Sequence, residues 1–303
     1  MNRRKFLTAV SSIAILQSLP WKASATLFKP MELGLLIVPM EESIRRVYEM
    51  GFTNCFFSID RYLNHFTSAL AKDFCGWLEK YKLTATAVEV VEPQPLIWDF
   101  LRGPMTIGLV PRATRTARID ALKQASDFAA LLNVNQVQTH CGFIPENPDD
   151  PLYDETVKAI QEVAVHCKAN GQYFLMETGQ ETPTTTSRAL RDAGMLNLGV
   201  GLDTANVILY GKANPVDAAE ILGPYIRAVH AKDGLWPTNP SQLGREVLIG
   251  TGKVDFKKVF TILKNNGYTG TITIERETSG PQQIEDVKRE KHYLEGVLKE
   301  VLG

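Results

Sequence analysis

Four residues in the second half of the chain, Glu177, Asp203, His230 and Glu275, each close a short apolar run. The runs read Gln172-Tyr-Phe-Leu-Met-Glu177, Leu198-Gly-Val-Gly-Leu-Asp203, Ile226-Arg-Ala-Val-His230 and Gly270-Thr-Ile-Thr-Ile-Glu275. A buried strand that finishes in a carboxylate or imidazole leaves a polar group at the rim of an apolar core. Three carboxylates converging at such a rim would repel one another unless a cation lay among them, so the pattern implies a divalent metal. A set of oxygens and one imidazole, without thiolate, suits Mn²⁺, Mg²⁺, Co²⁺ or Zn²⁺, and the oxygen-rich balance favours Mn²⁺.

Other side chains belong near this group if the runs are strands. His140 ends Gln138-Thr-His140 and could serve as a fifth ligand or as a hydrogen-bond partner of substrate; a satisfied core histidine is the competing reading. Lys232 follows His230 by two residues and shares its facing on an extended chain, so it could reach substrate oxygens. The alternative for Lys232 is a surface salt bridge. Arg276, one residue past Glu275, should point away from the ligand face. Trp98 and Trp236 fall in loops, where each could stack on a sugar face or seal a lid. Gly250-Thr-Gly-Lys253 lacks the spacing of a phosphate loop and reads as a turn into a helix capped by Asp255.

The elements that must position these residues alternate regularly. Strand-like runs span about 33–38, 54–59, 84–91, 136–140, 172–177, 198–203, 226–230 and 271–275. Helix-periodic segments separate them, at 41–50, 70–81, 115–132, 154–169, 184–193, 215–222 and 256–265, and a last helix covers 283–302. Gly51, Gly171, Gly194 and Gly267 stand where helices end. Eight such units predict a single (β/α)₈ TIM barrel, in which the strand C-termini face the active-site end. A doubly wound open sheet competes poorly, for it has fewer strands and a Gly-rich first turn. The irregular stretch 234–254 would then overhang the mouth after the seventh strand.

The chain has 303 residues, 44% of them apolar and 22% charged, which is ample for a sizeable core. The first 25 residues read as a separate export signal: Asn2-Arg-Arg-Lys-Phe-Leu7, an apolar stretch through Leu16, and Ala23-Ser-Ala25. That organisation puts a twin-arginine signal peptide at 1–25 and the barrel at 26–303, and a periplasmic location follows. The apolar stretch is shorter than the ~20 residues a membrane span needs, so no stable membrane anchor is expected. Cleavage after Ala25 removes Arg3, Arg4, Lys5 and Lys22 from the 33 basic residues and none of the 34 acidic ones, a net charge of −5. Such a chain has no basic surface for nucleic acid. Cys55, Cys75, Cys141 and Cys167 lack metal-type spacing and read as free thiols.

With these motifs assembled, the chain resembles the xylose isomerase-like barrel superfamily, often labelled sugar phosphate isomerases/epimerases. The resemblance rests on Met176-Glu-Thr-Gly-Gln-Glu-Thr182, Gly201-Leu-Asp-Thr-Ala-Asn206, Val229-His-Ala-Lys-Asp233, Gly250-Thr-Gly-Lys-Val-Asp-Phe256 and Ile272-Thr-Ile-Glu275. It implies one divalent metal held by Glu177, Asp203, His230 and Glu275. In epimerase members the first and last glutamates also exchange protons with substrate carbon, which makes Glu177 and Glu275 the implied acid/base pair. Many members carry Asp-x-x-His on the sixth strand. Here Asn206 replaces that histidine and can hydrogen-bond a sugar hydroxyl without acting as a base. The DNA-repair branch needs additional histidines for a trinuclear cluster, and this chain has five histidines in all.

The resulting expectation is a metal-dependent isomerase or epimerase acting through an enediolate on a ketose or keto-sugar. The same enolisation followed by loss or addition of water at the β-carbon would make a lyase or hydratase of 3-keto sugars or glycosides. A non-catalytic sugar- or metal-binding protein is the reading from another class. The expected partner is a small-molecule sugar, and the sequence leaves both a monomer and a homo-oligomer open.

Overall fold

Short apolar runs rich in Val, Ile, Leu and Phe pair side by side here, because buried parallel strands need apolar side chains on both faces. A computed structural model describes residues 31–303, so the export-signal reading falls outside the described residues. The strands are β1 (Leu33–Ile37), β2 (Asn54–Ser58), β3 (Thr84–Glu89), β4 (Gln136–His140), β5 (Tyr173–Glu177), β6 (Leu198–Asp203), β7 (Ile226–Ala231), β8 (Asp233–Leu235), β9 (Arg245–Val247) and β10 (Ile272–Ile274). The helices are α1 (Glu41–Glu49), α2 (Ser68–Tyr81), α3 (Gly103–Thr106), α4 (Arg112–Leu131), α5 (Pro151–Ala169), α6 (Pro183–Ala193), α7 (Asn206–Leu209), α8 (Pro215–Leu222), α9 (Phe256–Asn265) and α10 (Pro281–Leu302). Eight strands close into a barrel in the order β1-β10-β7-β6-β5-β4-β3-β2, every neighbour parallel. The expected (β/α)₈ barrel is therefore the fold.

Strand parity divides the core in two. Phe57, Val88, Phe174, Met176 and Val229 pack in the main cluster that the helices cover. Their neighbours Phe56, Ala87, Leu175 and Ala228 form a separate small cluster, backed by Leu36 and Tyr173; these are the inward positions. Side chains alternate with period two, so Glu89, Glu177 and His230 share the inward parity of Ala87, Leu175 and Ala228. Gly201 is part of the same arrangement: a Cβ there would lie 1.9 Å from Gln138 Oε1. Its lack of a side chain lets Gln138 reach across the barrel.

The helices end and begin as their caps dictate. Gly194 closes α6 in the left-handed conformation at φ 63°, and Asp255 caps α9 by accepting from Lys258 N. The stretch after β7 departs from the irregular loop expected of it. β8 and β9 pair antiparallel there, strands of three residues that carry no readable period. Asp233 anchors the following turn by accepting from Gly250 N, Gly252 N and Val254 N.

Arg276 turns outward as expected and ties that ribbon to α10, pairing with Glu246 at 2.6 Å and Asp286 at 2.9 Å. Glu290, fully buried beside them, accepts from Ile249 N at 3.2 Å. Burial pushes its carboxyl from the ordinary 4.5 up to about 7. The folded state thus holds a proton between those values that the unfolded chain has released, so stability must fall as pH rises from 4.5 to 7. Glu290→Gln removes this dependence. In urea denaturation the variant should gain about 2–3 kcal/mol relative to wild type between pH 4.5 and 8; a gap constant with pH would contradict the assignment.

Candidate metal centre and active site

Each of the four strand endings arrives at one place. Glu177, Asp203, His230 and Glu275 are all buried, and one ligand atom from each lies within 4.8 Å of the others. His230 Nδ1 stands between the two glutamates, 3.2 Å from Glu177 Oε1 and 2.9 Å from Glu275 Oε2. Its ring is held from below by Phe56, edge-on at 4.6 Å. Asp203 is divided in function: Oδ1 accepts from the backbone N–H groups of Ala205 and Asn206, both at 2.7 Å.

The other oxygen, Asp203 Oδ2, is buried without a hydrogen-bond partner, and so is Glu275 Oε2. An acceptor buried unmet costs free energy, and two of them within one cluster of three carboxylates call for a cation. The donor set, three carboxylates and one imidazole without thiolate, fits a hard or borderline divalent ion. The residues present therefore fit the metal that the sequence implies.

Lys232 supplies a positive charge beside this group. Its Nζ is buried, 3.2 Å from Glu275 Oε1, 3.6 Å from Asp203 Oδ2 and 2.5 Å from Glu277 Oε1. Burial opposes the ammonium, but Glu275, Asp203 and Glu277 outweigh it and raise the Lys232 pKa well above its ordinary value. Glu275 responds in kind: burial raises its pKa, while Lys232 and His230 hold it well below the carboxylate range. Glu177, likewise buried, is drawn down by His140 and His230. Asp203 goes the other way, because burial outweighs the attraction of Lys232. The surface salt-bridge alternative for Lys232 is thereby excluded.

The remaining predicted residues divide. Asn206, at the start of α7, accepts from Lys232 Nζ at 3.3 Å and places Nδ2 3.5 Å from Glu177 Oε1. His140 does not join the four ligands; it forms an adjoining group with Glu89 and Glu177, with Nε2 3.3 Å from Glu177 Oε2. Trp98 covers His140, the two rings 5.1 Å apart and T-shaped. Trp236, just past β8, is 39% exposed and has no hydrogen bond or aromatic contact to the cluster among the described residues.

Two inward residues escaped the sequence reading. Glu89 is buried, and burial together with Glu177 raises its pKa well above the usual range. Gln138 donates to Glu177 Oε2 at 3.1 Å and lies 3.4 Å from Glu89 Oε2. Glu89 could have been found from its parity with Ala87, although Val90-Val91 after it hide it inside an apolar run. A cavity of about 830 Å³ opens at the opposite end of the barrel, and Arg227 is the one charged residue in its lining among the described residues. It lacks the titratable cluster that marks the strand C-termini as the chemical end.

Fold and site together define a TIM-barrel protein with a metal-competent carboxylate–imidazole centre at its C-terminal face. The chain belongs to the xylose isomerase-like TIM barrel family, whose family model matches residues 32–297. A solved xylose isomerase domain protein from Planctomyces limnophilus shares 28% identity at a TM-score of 0.81, covering 91% of this chain and 98% of that one. A D-tagatose 3-epimerase-like protein superposes at a TM-score of 0.72 with 20% identity, covering 89% and 98%. A probable 3-DHS dehydratase of petrobactin synthesis from Bacillus anthracis has the same fold, with a TM-score of 0.65, 18% identity and coverage of 88% and 99%. An uncharacterised protein of Methanocaldococcus jannaschii is 26% identical over 196 residues, a match spanning 61% of this chain and 64% of that protein's length.

Proposed function

We propose that this protein is a divalent-metal-dependent sugar isomerase or epimerase acting on a ketose or keto-sugar. The observation that carries this reading is the pair of buried glutamates, Glu177 and Glu275, flanking His230 Nδ1 at 3.2 Å and 2.9 Å. Glu177, Asp203, His230 and Glu275 would hold the metal, proposed as Mn²⁺. Bound there, it would polarise a substrate carbonyl as a Lewis acid.

The chain's own residues account for the rest. Glu177 and Glu275 are kept ionised by the cations beside them, so either can accept a proton from the carbon next to a carbonyl; the other, after taking up a proton from solvent, delivers that proton to the opposite side, and the first then releases its own to solvent. Asn206 and Lys232 reach the same space and offer an amide and an ammonium to substrate hydroxyls. Trp98, 41% exposed, packs its ring against His140 and would offer an aromatic face to a sugar at the mouth. An epimerase-like relative supports the reading.

A second reading, a lyase or hydratase of 3-keto sugars, draws on Lys232 and on the dehydratase of the same fold. An ammonium 3.2 Å from Glu275 could donate to an oxygen leaving the β-carbon. We further propose export by the twin-arginine route at residues 1–25 and a periplasmic location, which modestly favours oxidised glycosides over sugar phosphates as substrates.

The test is incubation of metal-reconstituted protein with keto sugars and 3-keto glycosides in D₂O, followed by mass spectrometry. Deuterium uptake into a product isomeric with substrate is the expected result. Gain or loss of one water would favour the lyase, and metal binding without any exchange would reject both catalytic readings.

A further inference from the structure

A cationic side chain is seldom buried unless it is paired. Two arginines at the start of α4, Arg112 and Arg115, pair with Glu155. Arg118, two turns into the same helix and 2% exposed, bonds neutral oxygens instead. Its Nη1 donates to Gly108 O at 2.9 Å and to Thr114 Oγ1 at 2.8 Å. Its Nη2 donates to Pro93 O at 3.0 Å, Pro95 O at 2.9 Å and Thr106 O. Four of these five oxygens are carbonyls of the connection 90–111 between β3 and α4. Two lie on the limb that leaves the barrel and two on the limb that returns, so the guanidinium closes the neck of an excursion over residues 96–105.

What lies beyond the neck has little core of its own. Across 91–105 only Gly103 is buried, and Leu101 and Met105 are each 65% exposed. A segment with so few buried apolar contacts has low local stability and depends on its hydrogen bonds. Those bonds gather at the base and at one turn. Asp60 Oδ1 accepts from Val91 N and Glu92 N, Ile97 N donates to Thr106 Oγ1 at 3.2 Å, and Asp99 Oδ1 accepts from Leu101 N and Arg102 N. The excursion nonetheless carries two aromatic rings to the catalytic end. Trp98 packs against His140, and Phe100 stands edge-on to Tyr210 at 6.4 Å. Where these rings stand is therefore set by the neck.

We propose that Arg118 is a positioning residue for substrate binding: by bonding both limbs of the neck it preforms the wall that Trp98 presents at the mouth. This rests on the reading of that mouth as a sugar site. A wall already in place needs no ordering when a ligand arrives, whereas one present for a fraction of the time weakens apparent affinity by that fraction. None of the Arg118 hydrogen bonds reaches Glu177, Asp203, His230 or Glu275, so its loss acts on binding and leaves proton transfer as it is. The planar guanidinium offers five N–H donors, where an ammonium offers three from one point. Lysine can thus hold some of these oxygens and methionine none.

The experiment has two readouts. Full-length, Mn²⁺-loaded wild type, Arg118→Met, Arg118→Lys, Trp98→Ala and the double variant Trp98→Ala/Arg118→Met are compared for solvent-deuterium exchange into D-tagatose. Backbone amide exchange is read separately by mass spectrometry, without sugar, over 91–109, α4, α5 and the barrel strands. Arg118→Met should raise KM about 10- to 100-fold with kcat within about threefold of wild type, and Arg118→Lys should raise it less. In the Trp98→Ala background the same change should alter KM by less than about threefold, because the ring it positions is gone. Amides of 97–107 should exchange at least about tenfold faster in Arg118→Met, while those of α4 and the strands keep the wild-type rate. Equal KM effects with and without Trp98, a fall in kcat at unchanged KM, or loss of protection throughout α4 would overturn the proposal. Should Arg118→Met not fold, Arg118→Lys carries the same comparisons, alone and with Trp98→Ala. Absence of exchange into D-tagatose by wild type would strike the functional reading instead, and the amide rates of 97–107 would still decide whether Arg118 holds the neck.

Discussion

Glu177→Gln and Glu275→Gln are each expected to lower solvent-deuterium exchange by about 10³-fold, within the range for loss of a positioned proton-transfer group. Glutamine keeps the volume of glutamate and can still accept through its carbonyl oxygen, so the barrel closure and the packing around Phe56 should survive. What it loses is the ionised carboxylate that Lys232 and His230 maintain at Glu275 and that His140 and His230 maintain at Glu177. Both residues also belong to the ligand group, so exchange has to be measured at saturating Mn²⁺, with affinity determined alongside. A variant that binds Mn²⁺ and is inert separates proton transfer from ligation. Near-normal exchange in both variants would remove these residues from the acid/base role.

The site was legible in the sequence where a side chain ends a run, and obscure where it does not. Glu177, Asp203, His230 and Glu275 stop apolar strands, and barrel topology brings strand ends together whatever the details of the loops. Glu89 has the same position on β3 but is followed by two valines, so only the period-two parity with Ala87 betrays it. Gln138 lies mid-strand, and its reach across the barrel depends on the missing side chain of Gly201. Gln180 lies in the connection after β5, and only the fold brings its amide within 3.2 Å of His140 Nδ1. The fold itself was legible to its helix ends, save for α3 and α7 at four residues each and the β8–β9 ribbon. These elements are too short to show a period. Lys232 shows the limit of local pattern most clearly: parity gave its facing, but only its burial distinguishes a member of the site from a surface cation.

That burial makes Lys232→Met the most consequential substitution for stability. Methionine replaces the aliphatic stem and deletes the charge, leaving Asp203 and Glu275 facing each other without the ammonium at 3.6 Å and 3.2 Å. Breaking a buried charge cluster by removing one partner costs about 3–5 kcal/mol, since the survivors stay desolvated. In metal-depleted protein, urea denaturation should show a loss of that size. Mn²⁺ should then restore more stability to the variant than to wild type. An ion among Asp203, His230 and Glu275 offsets the same carboxylate charge, and saturation at 100 times Kd adds about 2.7 kcal/mol to any folded state that binds it. Wild type, with Lys232 already opposing a second cation, should gain less. Lys232 and the metal thus act on one shared pool of negative charge, and the variant should bind Mn²⁺ more tightly even while exchange into substrate is lost. A destabilisation that Mn²⁺ leaves untouched would mean that the lysine and the ion answer to different carboxylates, and the four-residue centre would have to be redrawn without Asp203 and Glu275 as common ligands.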